Sequence, residues 1–276
     1  MIIDGKKIAA EILAKTRTRI SGLGRTPVVL AITVAPNAAT ESYLKIKSAR
    51  AHEAGMILAV ARYPDSVTEE ELIARIDSAT EDAIIVQLPL PPALDAKRVL
   101  DAIPRSKDAD VLGKNARDAF ASDDANTYMP PVVGAVAHIL TSASVDPRGM
   151  RAVVVGEGWL VGNPVASWLR AKGATVTVAN QESESMLPEM LADADVVVSG
   201  AGHAGLITND MVKEGAILID AGTSESGGQL VGDMDPRCAE VASVFTPVPG
   251  GVGPIAVACL FANVAWLVLL KPSGVY

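Results

Sequence analysis

The sequence predicts an α/β protein of two segments, an N-terminal three-layer α/β domain followed by a doubly wound parallel sheet. Two observations carry that prediction. Apolar, β-branched runs of strand length alternate with helix-period patterns, once before residue 104 and again after residue 150. The first strand of the second series runs into a glycine-rich loop that opens a helix, "VVVGEGWLVGN".

The N-terminal "MIIDGKKIAAEILAK" reads as a short strand and an amphipathic helix. Strands are expected at 27–35 ("PVVLAITVA"), 56–63 ("MILAVARY") and 83–91 ("AIIVQLPLP"), with helices at 40–54, 68–79 and 94–103. A loop-rich stretch, 104–131, contains "SKDADVLGKN" and "DDANTYMPP" and has the length of a functional or linking segment. A helix at 132–143 precedes strands at 152–158, 174–180, 194–202 and 215–222. The run "IAVACLFANVAWLVLL" at 255–270 is 16 residues long and contains Asn263; it is short for a membrane span and too apolar for a surface helix. It is expected to cross back and pack on the first segment. The boundaries are therefore 1–130, completed by 255–276, and 131–254.

Composition narrows the function. A net charge of −8 argues against a nucleic-acid binder, which needs a basic face. Cys238 and Cys259 form no CxxC pair, and His52, His138 and His203 have no metal-ligand spacing, so buried structural thiols and no metal are expected. No secretory pattern opens the chain; a cytoplasmic protein without a membrane partner is the expectation.

In the second segment Gly156, Gly158 and Gly162 follow a GxGxxxG spacing, one residue longer than the common dinucleotide fingerprint. Small residues admit a pyrophosphate to the backbone, and the helix start offers unpaired N–H groups. The expected cofactor set comprises Gly156, Glu157, Gly158, Val161 and Gly162, Asn180 and Gln181 after the second strand, Gly200 and Ala201 after the third, and Gly222 and Thr223 after the fourth. A carboxylate at Glu157 would accept hydrogen bonds from a ribose 2′-hydroxyl and repel a 2′-phosphate. The following "ANQESES" lacks Lys and Arg, so the local chemistry favours NAD over NADP.

In the first segment Tyr43 and Lys47 stand at i and i+4, on one helix face with Cβ atoms about 6 Å apart. Taken alone, the pair describes a solvated helix face as well as it describes a reacting centre. Gln87 leaves a buried strand before prolines, with an amide that can donate or accept. "TPVPGGVGP", 246–254, is stiffened by three prolines, and its glycines allow backbone N–H groups to face a ligand closely; a rigid turn without a ligand fits it too.

Together, "IIDGKKIA" (2–9), "SYLKIKSARAHEAGM" (42–56), "VQLPLPP" (86–92), "SKDADVLGKN" (106–115), the glycine loop, "GAILIDAG" (215–222) and "VGDMD...TPVPGGVGPIAVACLFAN" (231–263) resemble the bifunctional methylenetetrahydrofolate dehydrogenase/methenyltetrahydrofolate cyclohydrolase family, in the family's order. The resemblance implies a folate site on the first segment, a Rossmann-like NAD(P)-binding domain in the second, a cleft between them, and a homodimer. It implies oxidation of 5,10-methylenetetrahydrofolate to the methenyl form and hydrolysis to 10-formyltetrahydrofolate. By the same resemblance Tyr43, Lys47 and Gln87 flank the one-carbon unit, Asp110 holds the pterin ring, and Pro249, Gly250 and Gly251 contact substrate. The chemistry agrees: a lysine beside a phenol and a cationic methenyl group loses proton affinity and can shuttle a proton.

The chain departs from the family where Gly-Phe after Asp110 becomes Val111-Leu112 and the loop to Asn115 is one residue shorter. Pro-Cys-Thr-Pro becomes "YMPPVVG", Arg-Ser becomes Glu157-Gly158, His-Ser-x-Thr becomes 180–183, and a Thr becomes Ala256. The alternatives are a monofunctional methylene-pterin dehydrogenase and a non-catalytic nucleotide-binding homologue. A short-chain dehydrogenase also carries Tyr-x-x-x-Lys, but after its glycine loop; here Lys47 comes about 100 residues before Gly156.

Overall fold

The structure is a computed structural model that describes residues 1–122, 127–226 and 228–270. The middle of the expected loop (123–126) and the end of the expected first domain (271–276) lie outside the described residues. The chain divides into two compact units. Ala10–Pro131 clusters with residues from Val257 onward, and Met1–Ala9 clusters with Val132–Ala256.

After helix α1 (Gly5–Ile20) the first unit builds a three-stranded parallel sheet in the order β2-β1-β3 from β1 (Val28–Val34), β2 (Ile57–Tyr63) and β3 (Ala83–Val86). Helices α2 (Ala38–Glu53), α3 (Glu69–Asp77) and α4 (Ala96–Asp101) connect and cover it. β1 is central and buried along almost its whole length, hence its unbroken apolar sequence. Leu30, Ile32, Ile84 and Val86 share a core with Leu72 and Ile76 of α3 and Val99 and Leu100 of α4. β3 ends at Val86, earlier than expected, because the following residues alternate with prolines that cannot donate to a ladder.

The expected loop at 104–131 contains a further helix, α5 (Lys114–Ala121). Its entry is wound around Asp108. That fully buried carboxylate accepts from the N–H of Leu112 at 3.2 Å and of Gly113 at 2.7 Å, and Asp108 forms a parallel bridge with Ile84 of β3. The turn forces Val111 into the left-handed region at φ 59°. Such a conformation costs about 1–2 kcal/mol for a residue with a Cβ. The Val111 side chain is only 3% exposed, and burying it returns about 1.5–3 kcal/mol. Burial therefore holds a valine where the resemblance leads one to expect glycine.

In the second unit, α6 (Pro131–Ser142) leads to β4 (Arg151–Val155), α7 (Gly162–Ala171), β5 (Thr175–Ala179), α8 (Leu187–Leu191), β6 (Val196–Ser199), β7 (Ile217–Asp220), a small antiparallel pair β8 (Ser224–Ser226) and β9 (Gln229–Val231), α9 (Cys238–Val241) and β10 (Val244–Phe245). The parallel sheet runs β10-β7-β6-β4-β5, one strand more than the four expected. β5 lies on one side of β4, and β6, β7 and β10 on the other. The glycine loop thus leaves the sheet at a topological switch point. The N-terminus adds a single bridge, Ile2 to Phe245, in place of the expected strand.

α10 (Val252–Leu270) is 19 residues and long and apolar enough to cross a membrane by length and composition, yet 67% of its most apolar window is buried inside the protein. From Val257 onward it belongs to the first unit, where the Asn263 amide donates to the carbonyls of Ala109 and Met129, both at 2.9 Å. Cys238 and Cys259 are free and buried, and burial pushes their thiols up to about 11 and about 12.

Burial also pushes the Asp108 carboxyl up to about 7, against the pull of its N–H donors. Between the ordinary carboxylate range and about 7 the folded chain keeps a proton that the unfolded chain has released. This group's contribution is therefore full at low pH and declines as pH rises through that window. The stability margin of the wild type over Asp108→Asn, from urea unfolding, is expected to shrink between pH 4 and pH 7, by roughly 1–4 kcal/mol. A margin independent of pH would contradict this account.

Candidate active site

α2 carries the first cluster. Asn37 caps it, accepting from the Thr40 N–H at 2.8 Å, a cap worth about 1 kcal/mol. The buried side chains of this helix are Leu44, Lys47 and Ala51, so Lys47 occupies a core position on the apolar stripe. It is 7% exposed, whereas Tyr43 is 40% exposed and Lys45 faces solvent. The Lys47 amine donates to Gln87 Oε1 at 3.0 Å and lies 5.0 Å from the centre of the Tyr43 ring.

Gln87 is oriented from both ends. Its backbone N–H donates to the Ile32 carbonyl at 2.8 Å, and its Nε2 donates to the Leu88 carbonyl at 2.9 Å. With the amide nitrogen so engaged, the oxygen is the end left to face Lys47. Burial lowers the proton affinity of Lys47, with the Asp110 charge opposing. Burial raises the carboxyl of half-buried Asp110, with Lys47 opposing, and burial and Asp110 together raise the Tyr43 phenol. All three groups resist charging, a condition suited to proton transfer.

Asp110 sits in the turn organised by Asp108. The base of its loop is tied by Asn263 and by the Tyr128 hydroxyl, which lies 2.7 Å from the Asp108 carbonyl and 2.9 Å from that of Arg105. Tyr128 also packs on Trp266 with ring centres 4.9 Å apart. Asn263, Asp108 and Tyr128 have no assigned role in the sequence reading. Asn263 left one trace there, as the lone amide in an apolar run.

A second site lies within the other unit, a cavity of about 430 Å³ at the ends of β4 and β5. Gly156, Glu157, Asn180, Gln181 and Ala201 line it, together with Glu184 and His203, which the sequence reading did not select. The Asn180 amide donates to Glu157 Oε2 at 3.4 Å, and the Asn163 amide holds the Glu157 carbonyl at 2.7 Å. The remaining expected cofactor residues stand apart from the lining. Gly162 packs under the loop, where a Cβ would overlap the Gly156 carbonyl, and a Cβ on Gly200 would strike Val161. Gly222 is pressed against the Asp233 carboxylate, Gly158 borders open space, and Thr223 is exposed. Gly162, Gly200 and Gly222 are thus explained by protein packing.

The proline loop joins β10 to α10 within this unit. The Gly250 carbonyl accepts from the Gly5 N–H at 3.0 Å, and a Cβ on Gly5 would overlap the Gly251 carbonyl. The N–H of Gly251 is turned inward onto the Pro247 carbonyl at 2.8 Å, so it is not directed at a ligand as the sequence suggests. Pro249 follows a cis bond from Val248. Asp220, at the end of β7, accepts from the N–H groups of Gly222 (3.0 Å), Asp233 (3.2 Å) and Met234 (2.8 Å), and burial pushes it up to about 6.

Residues 3–110 match the tetrahydrofolate dehydrogenase/cyclohydrolase catalytic domain, and residues 130–271 match the NAD(P)-binding domain of the same family. The bifunctional protein FolD of Moorella thermoacetica is 38% identical over 95% of this chain and 96% of its own. The FolD methylenetetrahydrofolate dehydrogenase/cyclohydrolase of Campylobacter jejuni superposes with a TM-score of 0.91 at 31% identity, covering 96% of this chain and 97% of its own. The Trypanosoma brucei enzyme, solved with NADP and an inhibitor, gives 0.89 at 31% identity over 97% and 96%. The chain belongs to the tetrahydrofolate dehydrogenase/cyclohydrolase family.

Proposed function

We propose that this protein oxidises 5,10-methylenetetrahydrofolate to 5,10-methenyltetrahydrofolate and hydrolyses the methenyl form to 10-formyltetrahydrofolate. The observation that carries the reading is the buried Lys47 amine held on Gln87 Oε1, in the field of Asp110 and beside Tyr43. Both family domains are present in one chain, which favours the bifunctional enzyme over a binding-only homologue. A bound nicotinamide ring supplies the hydride acceptor for the first step. Lys47 then serves the second: its neutral amine takes a proton from the water that adds to the methenyl carbon, and a proton reaches N5 as the C–N5 bond opens. Gln87 aims the amine, Asp110 accepts from the paired N–H donors of the pterin, and Tyr43 borders the one-carbon unit. A cationic substrate beside Lys47 further disfavours the ammonium form.

Our reading of the dinucleotide is NAD. The fit test is the chemistry of the lining: Glu157 and Glu184 face the cavity, and none of its lining residues is Lys or Arg. Two unit charges 4 Å apart interact by about 4 kcal/mol at an effective dielectric constant of 20, so a 2′-phosphate is strongly opposed where a ribose hydroxyl is welcomed. The T. brucei relative was solved with NADP; the substitution of Glu157-Gly158 for the family's Arg-Ser is the basis for expecting a different preference here. A cytoplasmic homodimer is the setting we assign. β2 supports it as an edge strand with Ile57 53% exposed and its next four residues half-buried.

Lys47→Ala is expected to slow methenyl hydrolysis by about 10²–10⁴-fold while leaving dinucleotide affinity within twofold, measured by loss of methenyl absorbance and by dinucleotide titration. Intact hydrolysis in that variant would remove Lys47 from the mechanism. For Glu157→Arg, the NAD/NADP ratio of kcat/KM is expected to move towards NADP by about tenfold or more. An unchanged ratio would show that Glu157 does not read the ribose.

A further inference from the structure

We infer that Asp233 is a positioning residue for the dinucleotide site, setting the wall of the cavity through the loop at 200–203. The inference rests on the cofactor reading proposed for that cavity. Asp233 is fully buried, and no part of the proposed chemistry uses it. One oxygen, Oδ2, accepts from the Ser199 hydroxyl at 2.7 Å, the Ala201 N–H at 2.8 Å and the Gly202 N–H at 3.3 Å; the other, Oδ1, accepts from the His203 N–H at 2.8 Å. Ala201 and His203 line the cavity, so their backbone is fixed from behind by a group that does not reach it.

The carboxylate is itself held in place. The Asp233 N–H donates to Asp220 Oδ1 at 3.2 Å, and Asp220 closes the strand β7. A chain of two carboxylates thus runs from the end of β7, through Asp233, to the cavity wall. The surroundings leave it no freedom: a Cβ on Gly222 would enter the Asp233 carboxylate, and a Cβ on Gly232 would enter that of Asp220. A carboxylate is well suited to this task, because the buried Ser199 hydroxyl and three successive backbone N–H groups of the loop all find acceptors on one rigid side chain. An amide in its place keeps the shape but turns one end into a donor facing donors.

The dehydrogenase step needs the dinucleotide and the cyclohydrolase step does not, so one protein supplies both the readout and its control. In Asp233→Asn, the KM for the preferred dinucleotide and its dissociation constant from fluorescence titration are expected to rise at least tenfold, with cyclohydrolase kcat within twofold of wild type. Ser199→Ala, which removes one donor and keeps the carboxylate, is expected to raise the dinucleotide KM by a smaller factor; it also serves if the Asn variant does not fold. Unchanged dinucleotide affinity in a folded Asp233→Asn or Ser199→Ala variant would overturn the inference, as would equal loss of both activities. A wild-type protein that binds neither NAD nor NADP would instead overturn the cofactor reading.

Discussion

The first unit is organised around one costly act, the burial of the Lys47 amine on the core stripe of α2. An unpaired ammonium ion withdrawn from water costs several kcal/mol even after relaxation. The fold meets that cost with a neutral acceptor at 3.0 Å, an acidic group near enough to act on the amine, and lowered proton affinity. Each provision requires a structural element in its place. β3 must stop at Val86 so that Gln87 can turn its amide oxygen to the amine, and Asp108 must wind the following turn so that Asp110 comes within range. The strained Val111 and the amide of Asn263 belong to the same construction, since both fix the backbone that carries Asp110.

The second unit follows the same physical rule with the opposite sign. There buried carboxylates, Asp220 and Asp233, gather backbone N–H groups and shape the loops around the acidic cavity. Glycine usage follows from this. Gly222 is bare because a carboxylate occupies the space of its side chain, and Gly162 because the loop carbonyl of Gly156 does. Gly158, with open space beyond it, is the glycine of the loop whose missing side chain leaves room for something other than protein. The two units thus divide the labour: one encloses side chains suited to moving a proton, the other uses buried carboxylates to hold backbone in place.

Much of the architecture was legible because it rests on local pattern. β1 and β4–β7 coincide with apolar β-branched runs, and the long last helix shows itself by composition. β10 escaped notice because two residues leave no periodicity, and α5 because its short amphipathic pattern lies among turn residues. For the site, the meeting of Lys47 with Gln87 is a tertiary fact, yet the sequence contained a usable sign: Leu44, Lys47 and Ala51 share the helical core spacing. Asp108, Asp220 and Asp233 offered no such sign. A carboxylate that folds backbone around itself looks, in sequence, like any surface acid, and only burial separates the two.

The central claim is that Lys47 is held in a state that readily gives up its proton. It can be read directly by following the Lys47 side-chain carbon resonance against pH in protein labelled at lysine, with Lys47→Arg used for assignment. A titration midpoint clearly below the ordinary lysine value of about 10.4 is the predicted result. A Lys47 midpoint at or above that ordinary value would contradict the account.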